Sequence, residues 1–133
     1  VCAKHLDFGR EGEACAEALL AAKGYVVVAR NFTTRGGEVD IVCRDGDTLV
    51  FVEVKARRAG SLARPDEAVT PAKRRKLVRA ASVYLSEMNL WDRPCRFDVV
   101  AVVSSGGRLT ATHLADAFSL EDAGLDSGLY QPW

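Results

Sequence analysis

Nothing in this 133-residue chain approaches the roughly 20 consecutive apolar residues that span a bilayer. The longest apolar segments, around Tyr25–Ala29 and Val99–Val103, have the length of strands. Residues 1–10 carry His, Asp and Gly and lack the apolar stretch of a secretory leader, so a cytoplasmic protein with no membrane partner is expected. Cysteine is sparse and scattered: Cys2, Cys15, Cys43 and Cys95 form no C-x-x-C pair and have no histidine at ligand spacing. That excludes the usual patterns of a disulfide framework or a zinc site and predicts free thiols, two of them buried in regular elements. His5 and His113 stand isolated in the sequence and are given no role. Repeats and low-complexity tracts are absent. Residues 1–118 are read as a single domain and 119–133 as a tail to which no structure is assigned.

Net charge is also lacking, with 18 basic against 18 acidic side chains, which argues against a generic polyanion binder. The distribution is uneven, however. Between Lys55 and Arg79 lie nine basic residues and only two acidic ones, Asp66 and Glu67, a net charge of +7. A basic segment of that density favours phosphates, although a solvated helix face would look the same. The composition, 48% hydrophobic and 27% charged, suits an ordinary globular core.

The order of elements follows from periodicity and punctuation. Cys15, Ala18, Leu19 and Ala22 recur at helical spacing and predict a helix over Gly9–Lys23, stopped by Gly24. Tyr25–Ala29 is β-branched and strand-like, and Asn31–Gly37 reads as a loop. Glu38–Arg44 and Thr48–Lys55 are strands joined by Asp45-Gly46-Asp47, a strong hairpin signal. A long loop, Arg57–Val69, leads to Thr70-Pro71, a good N-cap and first position for a helix ending near Met88, with Leu77, Ala81, Tyr84, Leu85 and Met88 on one stripe. Strands Phe97–Val103 and Leu109–His113 follow, joined by Ser105-Gly106-Gly107. The order α-β-β-β-α-β-β predicts an α/β fold, a mixed sheet flanked by helices, with a right-handed parallel crossover between the third and fourth strands.

Parity within the central hairpin brings chemistry together. Side chains alternate between the two faces of a strand. Leu49, Phe51, Glu53 and Lys55 therefore share one face, and so do Glu38, Asp40 and Val42, opposite Val39, Ile41 and Cys43. A two-residue turn at Asp45-Gly46 would set Asp40 opposite Phe51, and a four-residue turn would set it opposite Glu53. Either register leaves Asp40, Glu53 and Lys55 on one side of the sheet. Only a bulge would break this. Acids in strands otherwise built from Val, Ile and Phe suggest burial, and carboxylates that close repel unless a proton, a base or a cation lies between them. A hard divalent cation answers that need, since Mg²⁺ takes one or two carboxylates plus water and phosphate. On the first helix Glu13 shares the face of Ala16 and Leu20 and is read as a third acid, whereas Glu17 is read as its twin or as solvent-exposed. A charge network on a wetted sheet face is the competing reading.

Asp40-Ile41, a hairpin, then Glu53-Val-Lys55 resembles the D-x(n)-(D/E)-x-K signature of the restriction-endonuclease-like nuclease superfamily. The resemblance extends along residues 8–118. Gly9-Arg-Glu-Gly-Glu13, Gly24-Tyr25, Ala29-Arg-Asn31, Gly37-Glu-Val-Asp-Ile41, Val52-Glu-Val-Lys55, Lys73-Arg-Arg, Tyr84-Leu85 and Arg96-Phe-Asp-Val-Val100 together are similar to the YraN-like family of bacterial proteins. This likeness implies a Mg²⁺- or Mn²⁺-dependent endonuclease acting on nucleic acid, with branched or structured DNA as the expected substrate. Asp40, Glu53 and the Val54 carbonyl would be the metal ligands, and Lys55 would orient the attacking water. Glu13 matches the helix acid that Holliday-junction resolvases place beside the metal. Glu38 lies outside the minimal signature and is assigned to a second metal or to pairing with Lys55 or Arg35. Arg35, Arg57, Arg58, Arg64, Lys73, Arg74 and Lys76 would hold backbone phosphates, and a homodimer is expected because two sites cut two strands. The Gln-x-x-x-Tyr pattern of exonuclease-type members is missing, since Ala80 precedes Tyr84. A non-catalytic nucleic-acid-binding accessory protein is the alternative.

Overall fold

The structure, a computed structural model, describes residues 8–60 and 70–118. Helix α1 spans Phe8–Ala22, followed by strands β1 (Val26–Thr34), β2 (Gly37–Asp45) and β3 (Thr48–Arg58), helix α2 (Pro71–Glu87), and strands β4 (Cys95–Ser105) and β5 (Arg108–Phe118). Five strands form one sheet in the order β1-β2-β3-β4-β5. Only β3 and β4 are parallel, and α2 makes the crossover between them. Among the described residues no helix is long and apolar enough to cross a membrane.

Each helix covers one face of the sheet. Ala16 and Leu20 of α1 pack on Ile41, Cys43, Val50, Val52, Val100 and Val102. Leu77, Val78, Ala81, Tyr84 and Leu85 of α2 pack on Val42, Leu49, Phe51, Phe97, Val99 and Phe118. A run of aromatic contacts, Phe32 to Tyr84 (5.2 Å), Tyr84 to Phe51 (5.9 Å), Phe51 to Phe97 (5.7 Å) and Phe97 to Phe118 (5.1 Å), ties the α2 side together.

Local chemistry accounts for the ends of the helices. Gly24 takes φ 91° after α1, with Tyr25 N–H donating to the Leu20 carbonyl and Gly24 N–H to that of Ala21, the two bonds of a left-handed helix stop. Thr70 caps α2 by accepting the Lys73 amide at Oγ1 (3.2 Å). Glycine is needed twice where backbones touch. A Cβ on Gly12 would lie 3.0 Å from that of Ala56, and one on Gly37 would collide with the Lys76 carbonyl oxygen, so α2 rests directly on the start of β2.

Several expected bounds are corrected. The segment from Asn31 is no loop: β1 continues to Thr34, and only Arg35-Gly36 turns, held by Thr34 Oγ1, which accepts from the amides of Gly36 (3.2 Å) and Gly37 (3.1 Å). Phe32 supplies the reason, because its ring belongs against the α2-side core. The expected loop from Arg57 begins later, since β3 runs to Arg58, and 61–69, including Arg64, lie outside the described residues. Helix α2 stops at Glu87, and Met88, expected on the buried stripe, is its C-cap and 50% exposed. The last strand extends beyond His113 to Phe118, whose ring stacks on Phe97. Of the cysteines, Cys43 is buried, Cys15 half-buried and Cys95 exposed. Cys2, His5 and the 119–133 tail lie outside the described residues.

Candidate functional site

The hairpin register brings the two central acids together. Asp45 pairs with Thr48, so Gly46-Asp47 is the turn, and the ladder runs to Ile41 opposite Val52. One step further Asp40 falls opposite Glu53, but the ladder ends there. In place of a β2 backbone group, the Asp40 carboxylate enters the gap, and Val54 N–H donates to its Oδ2 (2.8 Å). Strict alternation fails at this point. Ile41 packs on the α1 side whereas Val39, expected on the same face, packs on the α2 side. A side chain has replaced a ladder bond, and the strand rotates around it.

Asp40 and Glu53 lie close enough for each carboxyl to act on the other's ionisation. Burial pushes Glu53 up to about 7, with the Asp40 charge adding to the effect and Lys55 and Lys73 opposing it. Asp40 also rises, first through burial, against the lowering effect of the Val54 amide. Lys55 is lowered, first by burial and then by the charge of Lys73 in the first turn of α2. Two half-buried carboxylates and two lysines thus act on one another where β2 and β3 part. This donor set fits a hydrated hard cation held by one or two carboxylates, whose charge would favour their ionised form. Among the described residues no three Asp, Glu, His or Cys side chains converge as a metal-holding group. The expected three-acid cluster is seen as a pair.

Other expected residues are spread around that pair. Glu13 is half-buried on α1, next to the Gly12 that rests on Ala56. Glu17 is no twin of it, since it forms an ion pair with Arg30 on β1. Glu38 accepts from Thr33 Oγ1 (3.4 Å), and its charge raises Asp40. Arg57 and Arg58 end β3, Arg35 lies exposed in the β1–β2 turn, and Arg74 sits 5.2 Å from the centre of the Phe118 ring. Lys76 lies over Gly37.

A second polar cluster escapes a reading by spacing. Asp98 on β4 is wholly buried, yet four donors reach it: Arg96 Nε (3.0 Å), Arg96 Nη2 (3.2 Å), His113 Nε2 (2.7 Å) and the Asp116 amide (2.9 Å). Lys23 Nζ donates to His113 Nδ1 (3.0 Å), which leaves Nε2 as the N–H facing Asp98. Arg96 also bonds Asp45 (3.2 Å) and the Tyr25 hydroxyl. Its guanidinium is held above its ordinary range by the Asp98 hydrogen bonds. His113 is therefore not isolated. The legible signal was a charged residue between Phe97 and Val99, the same kind of interruption that marked Asp40 and Glu53.

Fold and site define an α/β protein with a five-stranded mixed sheet between two helices and a polar cluster at a strand fork. The chain belongs to the uncharacterised protein family UPF0102, whose model matches residues 12–102. It is 46% identical to a UPF0102 protein of Nitratidesulfovibrio vulgaris strain DP4, covering 100% of this chain and 99% of that one. It is 48% identical to UPF0102 protein STH1475 of Symbiobacterium thermophilum, covering 83% and 94%. A solved structure, the crystal structure of SSO0001, aligns with 86% of this chain and 54% of its own at 14% identity and a TM-score of 0.34, too low a likeness to define the fold.

Proposed function

We propose that this protein is a Mg²⁺-dependent phosphodiesterase of the restriction-endonuclease-like class that cuts DNA, with branched or otherwise structured DNA as its substrate. The observation that carries the reading is the placing of Asp40 beside Glu53 where β2 leaves β3, with the Asp40 carboxylate held by the Val54 amide (2.8 Å) and both acids raised by burial. Burial disfavours charge on both carboxylates, and a bound cation would relieve that cost. Asp40, Glu53 and the Val54 carbonyl would hold Mg²⁺ or Mn²⁺, which lowers the pKa of bound water and offsets charge on phosphate. The chain's own groups do the rest. Val54 N–H fixes the Asp40 carboxylate in the fork. Lys55 faces both acids and orients the attacking water while offsetting charge that develops on the phosphate. Arg57 and Arg58 stand at the open end of β3, where they would position backbone phosphates without reading sequence.

The test is cleavage of branched and linear DNA with Mg²⁺ or Mn²⁺. Glu53→Gln and Asp40→Asn are expected to lose at least about a hundredfold in rate, comparable to removing one transition-state contact. Equal cutting by wild type and both variants would assign the activity to a contaminant. A second reading, a non-catalytic nucleic-acid-binding accessory protein, draws support from the pair lacking a third acid among the described residues. It predicts salt-dependent DNA binding that survives Glu53→Ala, with no cutting under any metal.

A further inference from the structure

The β1–β2 turn and the middle of α2 touch through glycine. A Cβ on Gly36 would lie 3.5 Å from both Cβ and Cδ of Arg79, and one on Gly37 would lie 3.0 Å from Cβ of Lys76. Thr34 fixes the turn, because its Oγ1 donates to the Gly37 carbonyl (2.9 Å) while accepting from the amides of Gly36 and Gly37. Arg35 precedes Gly36, so basic residues from two distant stretches of sequence are carried to one place. Arg35, Lys76 and Arg79 are all exposed. Along α2, Lys76, Arg79 and Val83 follow one another on the outer face, away from the buried residues that pack on the sheet. The helix contains no acid before Glu87. Glu38, the acid next to the turn in sequence, accepts from Thr33 Oγ1 (3.4 Å).

Like charges gathered on one surface attract an anion of matching spread. Cations on a turn and on successive turns of a helix suit a row of anions better than a single one, and the arginine fork matches phosphate oxygens. A lipid surface fits less well. A helix that lies on a membrane turns large apolar residues towards it, and this face offers Val83 alone, 37% exposed. We propose that Arg35, Lys76 and Arg79 form one docking ridge for a nucleic-acid backbone, assembled by the contact of Gly36 and Gly37 with α2 and separate from the Arg57–Arg58 rim. The ridge deepens the phosphodiesterase reading and rests on it for DNA as the polymer. Arg79 gains a role that its place in the sequence does not suggest, as the helix partner of the turn.

The experiment measures binding of a duplex DNA and a duplex RNA of the same sequence, without metal, by fluorescence anisotropy over a series of salt concentrations. Arg35→Ala, Lys76→Ala and Arg79→Ala are each expected to weaken DNA binding about three- to tenfold and to reduce the slope of log affinity against log salt by about one. The triple variant should lose about three from that slope. Arg44→Ala and Arg108→Ala remove the same charge from exposed positions elsewhere on the sheet, and each should change affinity less than about twofold. Equal losses in all five single variants overturn the ridge, since diffuse attraction would suffice. A triple variant that binds like wild type also overturns it, as does a wild type that binds anionic lipid vesicles but neither duplex. Ridge-dependent binding by a protein that cuts nothing with Mg²⁺ or Mn²⁺ upholds the ridge and removes the phosphodiesterase reading. Cleavage with an unchanged KM in the triple variant does the reverse. Ridge-dependent binding of RNA alone upholds the ridge and changes the polymer.

Discussion

Asp98 and Asp40 are acids in neighbouring parts of one sheet, and their surroundings are opposite. Asp98, with no exposed surface, accepts from an arginine, a histidine and a backbone amide. Asp40 has one backbone donor, and the carboxylates of Glu38 and Glu53 act on it. The first cluster has its negative charge matched by donors from β4 and β5, and through Lys23, Tyr25 and Asp45 it also ties in the end of α1 and the central hairpin. In the second, carboxylates act on one another as well as on lysine, and its groups are displaced from their ordinary ionisation. A buried charge whose bonds are complete holds a fold together, whereas one left short of partners is arranged for something that arrives.

Removing a partner from the complete cluster should have the largest effect. Asp98→Ala leaves Arg96 without its main anion and should destabilise the protein by about 3–5 kcal/mol, read as a lowered denaturation midpoint. A loss under about 1 kcal/mol would mean the network is no more than surface decoration and would erase the contrast.

The incomplete cluster should respond to pH in the reverse sense of a salt-bridged acid. Glu53 titrates at about 7 in the folded protein, against an ordinary 4.5. The folded state then binds more protons than the unfolded one across that window, so stability falls as pH rises between those values. The loss should be on the order of 1–3 kcal/mol for the Asp40–Glu53 pair as a unit. Thermal melts at pH 5 and pH 8 would show it, and Glu53→Gln should flatten the difference. Millimolar Mg²⁺ should raise the midpoint at pH 8 more than at pH 5. A melting temperature indifferent to both would sharpen the comparison the other way, making the pair an inert patch.

The smallest effect belongs to the basic rim. Arg57→Ala should weaken DNA binding several-fold and reduce the slope of log affinity against log salt by about one, with no change in sequence preference. A base-specific change would give Arg57 a reading role instead.

Much of this architecture was legible. Alternation in Thr48–Lys55, the Thr70-Pro71 cap, the Gly24 stop and the crossover helix are local signals, and each element stands where those signals put it. The approach of Asp40 to Glu53 was legible from the hairpin, although the register rests on a Gly46-Asp47 turn and alternation breaks at Asp40 itself. What was hidden depends on contacts between distant residues. The length of β1 turns on Phe32 reaching Tyr84, and that of β5 on Phe118 reaching Phe97. Asn31 sits inside β1 at φ 50°, a geometry that reads as a loop when seen without its neighbours. His113 looked solitary because its partner lies 15 residues back on the adjacent strand. Lys73 was read as a holder of backbone phosphate, since nothing in its local sequence shows that its charge acts on Glu53.

The Val54 amide has a consequence of its own. Its proton is held by a side chain instead of a neighbouring strand, so its magnetic environment follows the state of the Asp40 carboxylate. In a ¹⁵N-labelled sample that resonance serves as an internal gauge. It moves when the carboxylate gains or loses a proton or binds an ion, while amides in the regular β3 ladder, such as that of Val50, stay still.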